Sequence, residues 1–199
     1  MVTETVFLIL LVLLVLFFRD PARKIPDEEG LIISPADGKV VEIGQAEDCV
    51  PLGSKALKIG IFMGLFNVHV NRSPVAGTVA SLEYVPGKFR NALSSKASAE
   101  NESNSMVLDC PEVPGGRVLV RQISGVLARK IVCKCKPGER LERGQRFGMI
   151  KLGSRAEVYV PCSEKLRVKV GEGEKVRAGS SVLLRYEGDE SQVEDSNGD

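Results

Sequence analysis

Gly138-Glu-Arg-Leu-Glu-Arg-Gly144 and Gly173-Glu-Lys-Val-Arg-Ala-Gly179 are two copies of one pattern, and their likeness decides the fold class. Each copy runs glycine, acid, base, one apolar residue, two further positions and a second glycine. The match continues downstream, where Phe147 and Met149 answer Val182 and Leu184. The flanking glycines permit the positive φ angles of tight turns, and the single apolar side chain between them plugs inward. Each unit is therefore a turn, a short strand and a second turn.

Around the repeat, from Leu31 to about Tyr186, short apolar runs alternate with Gly and Pro. Lys39–Ile43, Lys58–Met63, Gly77–Val85, Arg117–Ile123, Lys130–Cys135, Gly148–Leu152, Glu157–Val160, Leu166–Val170 and Ser181–Tyr186 are rich in Val and Ile. They have strand length, not helix length. Asn91–Glu100 has little strand character and reads as a loop or short helix. Turn-strand-turn units of this kind recur in barrel-sandwich folds of the biotinyl/lipoyl type. The expected architecture is mainly β, a barrel-sandwich hybrid-like domain over residues 31–187. Gly188–Asp199 is acidic and nearly devoid of apolar residues, which predicts a disordered tail.

Val6–Phe18 (VFLILLVLLVLFF) is an unbroken apolar run followed by Arg19, Arg23 and Lys24. A membrane span takes about 20 apolar residues, so the run is short unless Met1–Thr5, with Glu4, extends it. A basic start and a small-residue cleavage site would mark a signal peptide; neither is present. An all-round apolar helix is also out of place on a strand-rich domain that has its own core. Residues 1–20 are therefore expected to form a membrane-associated apolar helix, and 21–30 a charged, Pro-containing linker. The basic flank puts the domain on the cytoplasmic side of the cell membrane. Spanning and shallow insertion are both compatible with this length.

Composition removes several function classes. Lys and Arg number 27 against 26 acids, and Trp is absent. No basic excess or stacking platform points to a nucleic-acid partner. The five cysteines, Cys49, Cys110, Cys133, Cys135 and Cys162, form no secreted disulfide framework. Cys133 and Cys135 would share one face of a strand, but a structural zinc site takes about four ligands and the chain has one His. They read as small core residues in a reducing compartment, and no metal is expected.

Three polar clusters interrupt the strand-like pattern: Ser34–Gly38, Phe62–Pro74 with the lone His69, and Met149–Arg155 with Gly153-Ser154. Taken singly, Asp37-Gly38 is a common turn, a lone His in a strand is a satisfied polar residue, and Gly-Ser is an ordinary loop pair. Their joint order carries the weight. FFRDP (Phe17–Pro21), SPADGKV (Ser34–Val40), NVHVNRSPVAG (Asn67–Gly77), KASAENE (Lys96–Glu102), QISGVLARKIV (Gln122–Val132) and RFGMIKLGSR (Arg146–Arg155) follow one another along the chain. Together these landmarks resemble the phosphatidylserine decarboxylase proenzymes, in the short form found in bacteria and archaea.

The resemblance implies a chain that cuts itself between Gly153 and Ser154. The Ser154 hydroxyl would attack the Gly153 carbonyl, elimination would break the chain, and position 154 would become a pyruvoyl cofactor heading the smaller product. It implies that Asp37 and His69 assist, since an unassisted serine is a weak nucleophile. The activity implied is decarboxylation of a serine-headgroup phospholipid, phosphatidylserine or its archaeal ether counterpart archaetidylserine, in phospholipid biosynthesis. The partners implied are the membrane lipid and the two cleaved chains as a heterodimer, which in this family commonly pairs further. Longer family members carry H-x-x-H in the second landmark, and here the sequence is His69-Val-Asn-Arg72. Arg72 is then a candidate for holding a substrate carboxylate or phosphate, which its fork suits.

Two other classes fit less well. A biotinyl or lipoyl carrier needs a lysine at a hairpin tip, and Lys151 lies inside a strand-like run. A serine hydrolase of the nucleophile-elbow kind needs G-x-S-x-G, which Ile150-Lys-Leu-Gly153-Ser154-Arg155 does not provide.

Overall fold

A computed structural model describes residues 2–94, 96–126, 130–151 and 153–187. The acidic tail at 188–199 and Leu152 of the last landmark lie outside the described residues. After helix α1 (Val2–Phe17) the chain is mainly β, as the run lengths imply. The strands are β1 (Leu31–Ile33), β2 (Gly38–Cys49), β3 (Ser54–Met63), β4 (Val70–Arg72), β5 (Gly77–Val85), β6 (Ser103–Asp109) and β7 (Arg117–Ile123). There follow β8 (Ile131–Cys133), β9 (Arg140–Leu141), β10 (Arg146–Ile150), β11 (Ser154–Pro161), β12 (Leu166–Val168), β13 (Lys175–Val176) and β14 (Val182–Tyr186). The stretch expected as loop or short helix yields one turn of helix, α2 (Ala97–Glu100).

Eight strands form one antiparallel sheet in the order β13-β2-β3-β11-β7-β6-β5-β9, and two three-stranded sheets, β1-β14-β12 and β4-β10-β8, accompany it. The short strands of the sequence repeat, β9 and β13, occupy the two edges of the large sheet. Their plugs, Leu141 and Val176, are buried in the core. The repeat is one part of a wider duplication. Ser34-Pro-Ala-Asp-Gly-Lys-Val40 and Ser73-Pro-Val-Ala-Gly-Thr-Val79 enter β2 and β5 in the same way. Ser34 and Ser73 each donate a hydroxyl to the carbonyl two residues on, both at 2.7 Å. Gly179 N–H donates to Ser34 O and Gly144 N–H to Ser73 O, at 2.9 and 2.8 Å. Val40 and Val79 likewise donate to Glu174 and Glu139. The chain thus builds one structural unit twice, with Asp37 and Ala76 at matching places.

β11 lies between β3 and β7 and is buried along its whole length. Ile59, Ile61, Val158 and Val160 are fully buried where β3 meets β11, and each such side chain contributes about 1.5–3 kcal/mol by leaving water. On the other face, Arg155 and Glu157 carry charge into the interior. Arg155 pairs with Glu42 and with Glu157 (2.8 Å), and Glu157 also accepts from Ser98 and from Tyr159 (2.7 Å). Burial first, and then the neighbouring Glu157 carboxylate, push the Tyr159 phenol well above its ordinary value.

One part of the expected architecture needs correcting. α1 is a helix and exposes apolar side chains such as Phe7, Ile9 and Leu14. However, its 16 residues reach only about 24 Å at ~1.5 Å per residue, against an apolar bilayer core of roughly 30 Å. Among the described residues no helix is long and apolar enough to cross a membrane.

Candidate active site

The sheet register brings the three polar clusters to one end of the large sheet. Lys39 of β2 pairs with Phe62 of β3, and Met63 of β3 pairs with Ser154 of β11. Asp37 immediately precedes β2, so Asp37, Met63 and Ser154 stand at the same end of three neighbouring strands.

Ser154 is fully buried as the first residue of β11, and its hydroxyl donates to the Met63 sulfur at 3.5 Å. Among the described residues it makes no hydrogen bond to Asp37 or His69. Gly153 sits at φ +65°, in the left-handed region, with open space where a Cβ would project. The left-handed conformation favours glycine here. Gly125 lies against the same junction, since a Cβ on it would stand 1.8 Å from the Gly153 carbonyl oxygen. Gly125 is a site residue that the sequence reading carried only as a letter of QISGVLARKIV. No periodicity marks it, because the close approach is across strands.

His69 is fully buried between Val68 and Val70, and its ring packs on Phe17 with centroids 4.6 Å apart. Neither ring nitrogen has a hydrogen bond of good geometry. Burial holds its basicity below the ordinary value and Arg19 adds to this; the Asn67 backbone and the Asp37 charge pull the other way. An imidazole kept neutral, dry and uncommitted is available to take or return a proton.

Asp37 is buried and fully committed. Both carboxylate oxygens accept from Arg23 (2.9 and 2.8 Å), and Oδ1 also accepts from the Ala178 N–H at 2.8 Å. Arg72 is buried and donates to Asp20 (2.7 Å), Gly144 O (3.1 Å) and Pro21 O (3.4 Å). Asp20 also pairs with Arg146. A substrate role for Arg72 would require this set to open. The segment 19–23, read from sequence as the end of the apolar helix (to 20) and the start of the linker (from 21), is thus packed on the site through Arg19, Asp20 and Arg23.

A chain of buried amides ties the landmarks together. Asn104 donates to Gln122 Oε1 (3.1 Å), Gln122 to Asn71 Oδ1 (2.9 Å), and Asn71 to Pro35 O (3.4 Å). Asn71 Nδ2 also lies 3.9 Å from the Met63 sulfur that Ser154 touches. Side-chain amides at these positions carry no sequence period, so only the folded register discloses the chain. Among the described residues no group of His, Cys, Asp or Glu is placed to hold a metal ion.

With this geometry described, comparison with known proteins is informative. The family model for phosphatidylserine decarboxylase matches residues 10–184. A phosphatidylserine decarboxylase proenzyme of Rhodopirellula baltica is 48% identical over 181 residues, covering 91% of this chain and 75% of its own. Proenzymes of the same name from Paraburkholderia phymatum and Burkholderia lata are 46% and 47% identical. These cover 89% and 91% of this chain and 82% of their own lengths. The chain belongs to the phosphatidylserine decarboxylase family.

Proposed function

We propose that this chain is a self-processing proenzyme that breaks between Gly153 and Ser154 and then decarboxylates the serine headgroup of a membrane phospholipid. The observation that carries the reading is the Gly153-Ser154 junction itself. A left-handed glycine precedes a buried serine at the head of an interior strand, within a chain of this family.

In self-cleavage, the Ser154 hydroxyl attacks the Gly153 carbonyl carbon and the peptide nitrogen leaves, giving an ester; elimination across position 154 releases the Gly153 carboxylate, and water converts the resulting dehydroalanine to a pyruvoyl group with loss of ammonia. His69 accepts the hydroxyl proton in this reading, because it is the buried imidazole neither of whose ring nitrogens is held by a hydrogen bond of good geometry. The Ser154 hydroxyl is held meanwhile by the sulfur of Met63, an unbranched side chain that yields easily. Asp37 contributes charge near His69 and, through Arg23 and Ala178, fixes the corner of β2. The residues fit the cofactor the family name implies, since the serine that would generate it and the imidazole share one dry corner. A pyruvoyl group there supplies an electron sink for decarboxylation. His69 then returns a proton to the carbon that loses carbon dioxide, and the apolar surroundings exclude water.

The break leaves both products in one body. Residues 154–187 contribute β11, β13 and β14, which pair with β3, β7, β2 and β1 of the larger product, and β12, which pairs with β14. The doubled unit serves as a barrel-sandwich scaffold of the biotinyl/lipoyl kind, and carries its chemistry at the junction instead of on a lysine.

The site opens toward lipid in this reading. α1 ends on His69 through Phe17, Phe18 is exposed, and the neighbouring loop presents Leu65 and Phe66, the latter 79% exposed. Arg19 donates to the Phe66 carbonyl and holds helix and loop together. Val126 and Leu93, adjacent to the Gly125–Ala92 contact beside Gly153, are exposed as well. Such a rim suits shallow insertion at a bilayer surface, and the basic residues after α1 support the reading that this surface is the cytoplasmic face of the cell membrane. Diacyl and archaeal ether serine lipids present the same reacting atoms to it.

The direct test is Ser154→Ala. Wild-type protein should run on a denaturing gel as two chains, the smaller with a blocked N-terminus lighter than serine by mass spectrometry. The variant should remain one full-length, inactive chain. A variant that still splits overturns the assignment of Ser154.

A further inference from the structure

The second copy of the repeat does more than pin the edge of the sheet. A cleft of about 660 Å³ opens beside Asp37, lined by Lys39, Phe62, Asn67, Lys175 and Arg177. Lys175 and Arg177 come from the repeat and Lys39 from the strand it pairs with. All three cations are exposed, and none forms an ion pair with a described carboxylate, although most cations around the site do. Ser180 and Ser181 complete the rim. Phe62 and Gly64 line the cleft, and Met63 between them touches the Ser154 hydroxyl.

The duplication provides an internal control. In the other half the fold makes a matching cleft of about 540 Å³, lined by Ala76, Asp27, Glu112, Glu142 and Arg143. There Thr78 stands where Lys39 does, Glu142 where Arg177 does, and Ala76 where Asp37 does. The same turn-strand-turn therefore folds with an acid at the Arg177 position. Arg140 stands where Lys175 does, so Lys175 follows the repeat, whereas Lys39, Arg177 and Asp37 occur together in only one half, which marks those three as additions to the scaffold, not requirements of it.

We propose that Lys39, Lys175 and Arg177 form a phosphate subsite that takes the phosphodiester of the substrate headgroup, a proposal that rests on the lipid decarboxylase reading above. In a serine phospholipid the phosphate lies only a few bonds from the carbon that loses carbon dioxide, so its binding groups must border the reacting corner. This cleft does. An arginine fork matches two phosphate oxygens, and lysine ammoniums add charge without geometric demand. Asp37 does not repel the phosphate, because Arg23 and the Ala178 N–H already neutralise its carboxylate.

The test is the Lys175→Gln/Arg177→Gln double variant of the full chain. Self-cleavage, read on a denaturing gel, should go to completion as in wild type. With monomeric dihexanoyl phosphatidylserine, KM should rise about tenfold or more while kcat changes less than about threefold, as loss of charge-assisted hydrogen bonds made equally to bound substrate and transition state requires. Binding of dihexanoyl phosphatidylethanolamine to the processed protein, followed by calorimetry without turnover, should weaken by the same factor. Unchanged KM and product affinity with the soluble lipids overturn the subsite. If only sedimentation with phosphatidylglycerol vesicles weakens, the cations meet bilayer phosphates instead, and the subsite is again overturned. A wild-type chain that splits and decarboxylates beside such a variant separates failure of the subsite from failure of the enzyme reading. A wild-type chain that does neither sinks both.

Discussion

Replacing Gly125 by alanine puts a methyl group 1.8 Å from the Gly153 carbonyl oxygen and 2.9 Å from its carbon. Real Cβ atoms essentially never approach within 3.0 Å of such atoms, so one backbone must retreat by about 1.2 Å or more. The atom displaced is the one that Ser154 must attack. A misplacement of about 1 Å costs roughly a hundredfold in a positioned reaction, so self-cleavage of Gly125→Ala should slow by about that factor. Gly153→Ala is the control that separates crowding from conformation. Its Cβ meets nothing within 4 Å, and its only handicap is the left-handed backbone, about 1–2 kcal/mol. That corresponds to a slowing of at most roughly 5–30-fold. Gel time courses of freshly synthesised chain, with a thermal melt of each variant to establish folding, read both numbers. Processing of Gly125→Ala within about threefold of wild type, or slower processing of Gly153→Ala than of Gly125→Ala, would refute the contact-based reasoning.

Two further outcomes follow from the same corner of the molecule. Because burial lowers the folded-state basicity of His69 below the ordinary imidazole value of 6.5, the folded protein binds fewer protons than the unfolded chain between those two values. Stability therefore rises with pH across that window and is lost as pH falls from 6.5 through the folded value. The acid limb of self-cleavage should accordingly have its half-point below pH 6.5; a rate already halved above pH 6.5, or an acid limb that persists in His69→Gln, would remove His69 from the role. Phe66→Glu puts a charge on the exposed loop bonded to Arg19. It should weaken sedimentation with phospholipid vesicles about tenfold or more while leaving self-cleavage intact, and undiminished vesicle binding would exclude this loop from the lipid-facing rim.

Much of this was legible in the chain before folding was considered. The repeat at 138–144 and 173–179 already specified turn, plug and turn, and the structure sets those plugs, Leu141 and Val176, at the two edges of one sheet. β6 was not legible: Ser103-Asn-Ser opens it, and that polar start masks a strand whose burial comes from facing β5 and β7. Likewise Ser34-Pro and Ser73-Pro are dispersed in sequence, and their equivalence emerges only through matching hydrogen bonds to the repeat.

The sequence by itself determined the β character, the family and the identity of Gly153, Ser154, Asp37 and His69 as candidates. These depend on residue type, order and local period, all of which are one-dimensional. Tertiary structure alone decided what those residues meet. It committed Asp37 to Arg23 and Arg72 to Asp20, left both nitrogens of His69 without a hydrogen bond of good geometry, pressed Gly125 against the junction, and gathered Lys39 with Lys175 and Arg177 at one cleft. Such contacts join segments tens to more than a hundred residues apart. Their partners are set by how the strands align, and a shift of one residue would turn the strand residues among them, Lys39, Arg72 and Lys175, to the opposite face.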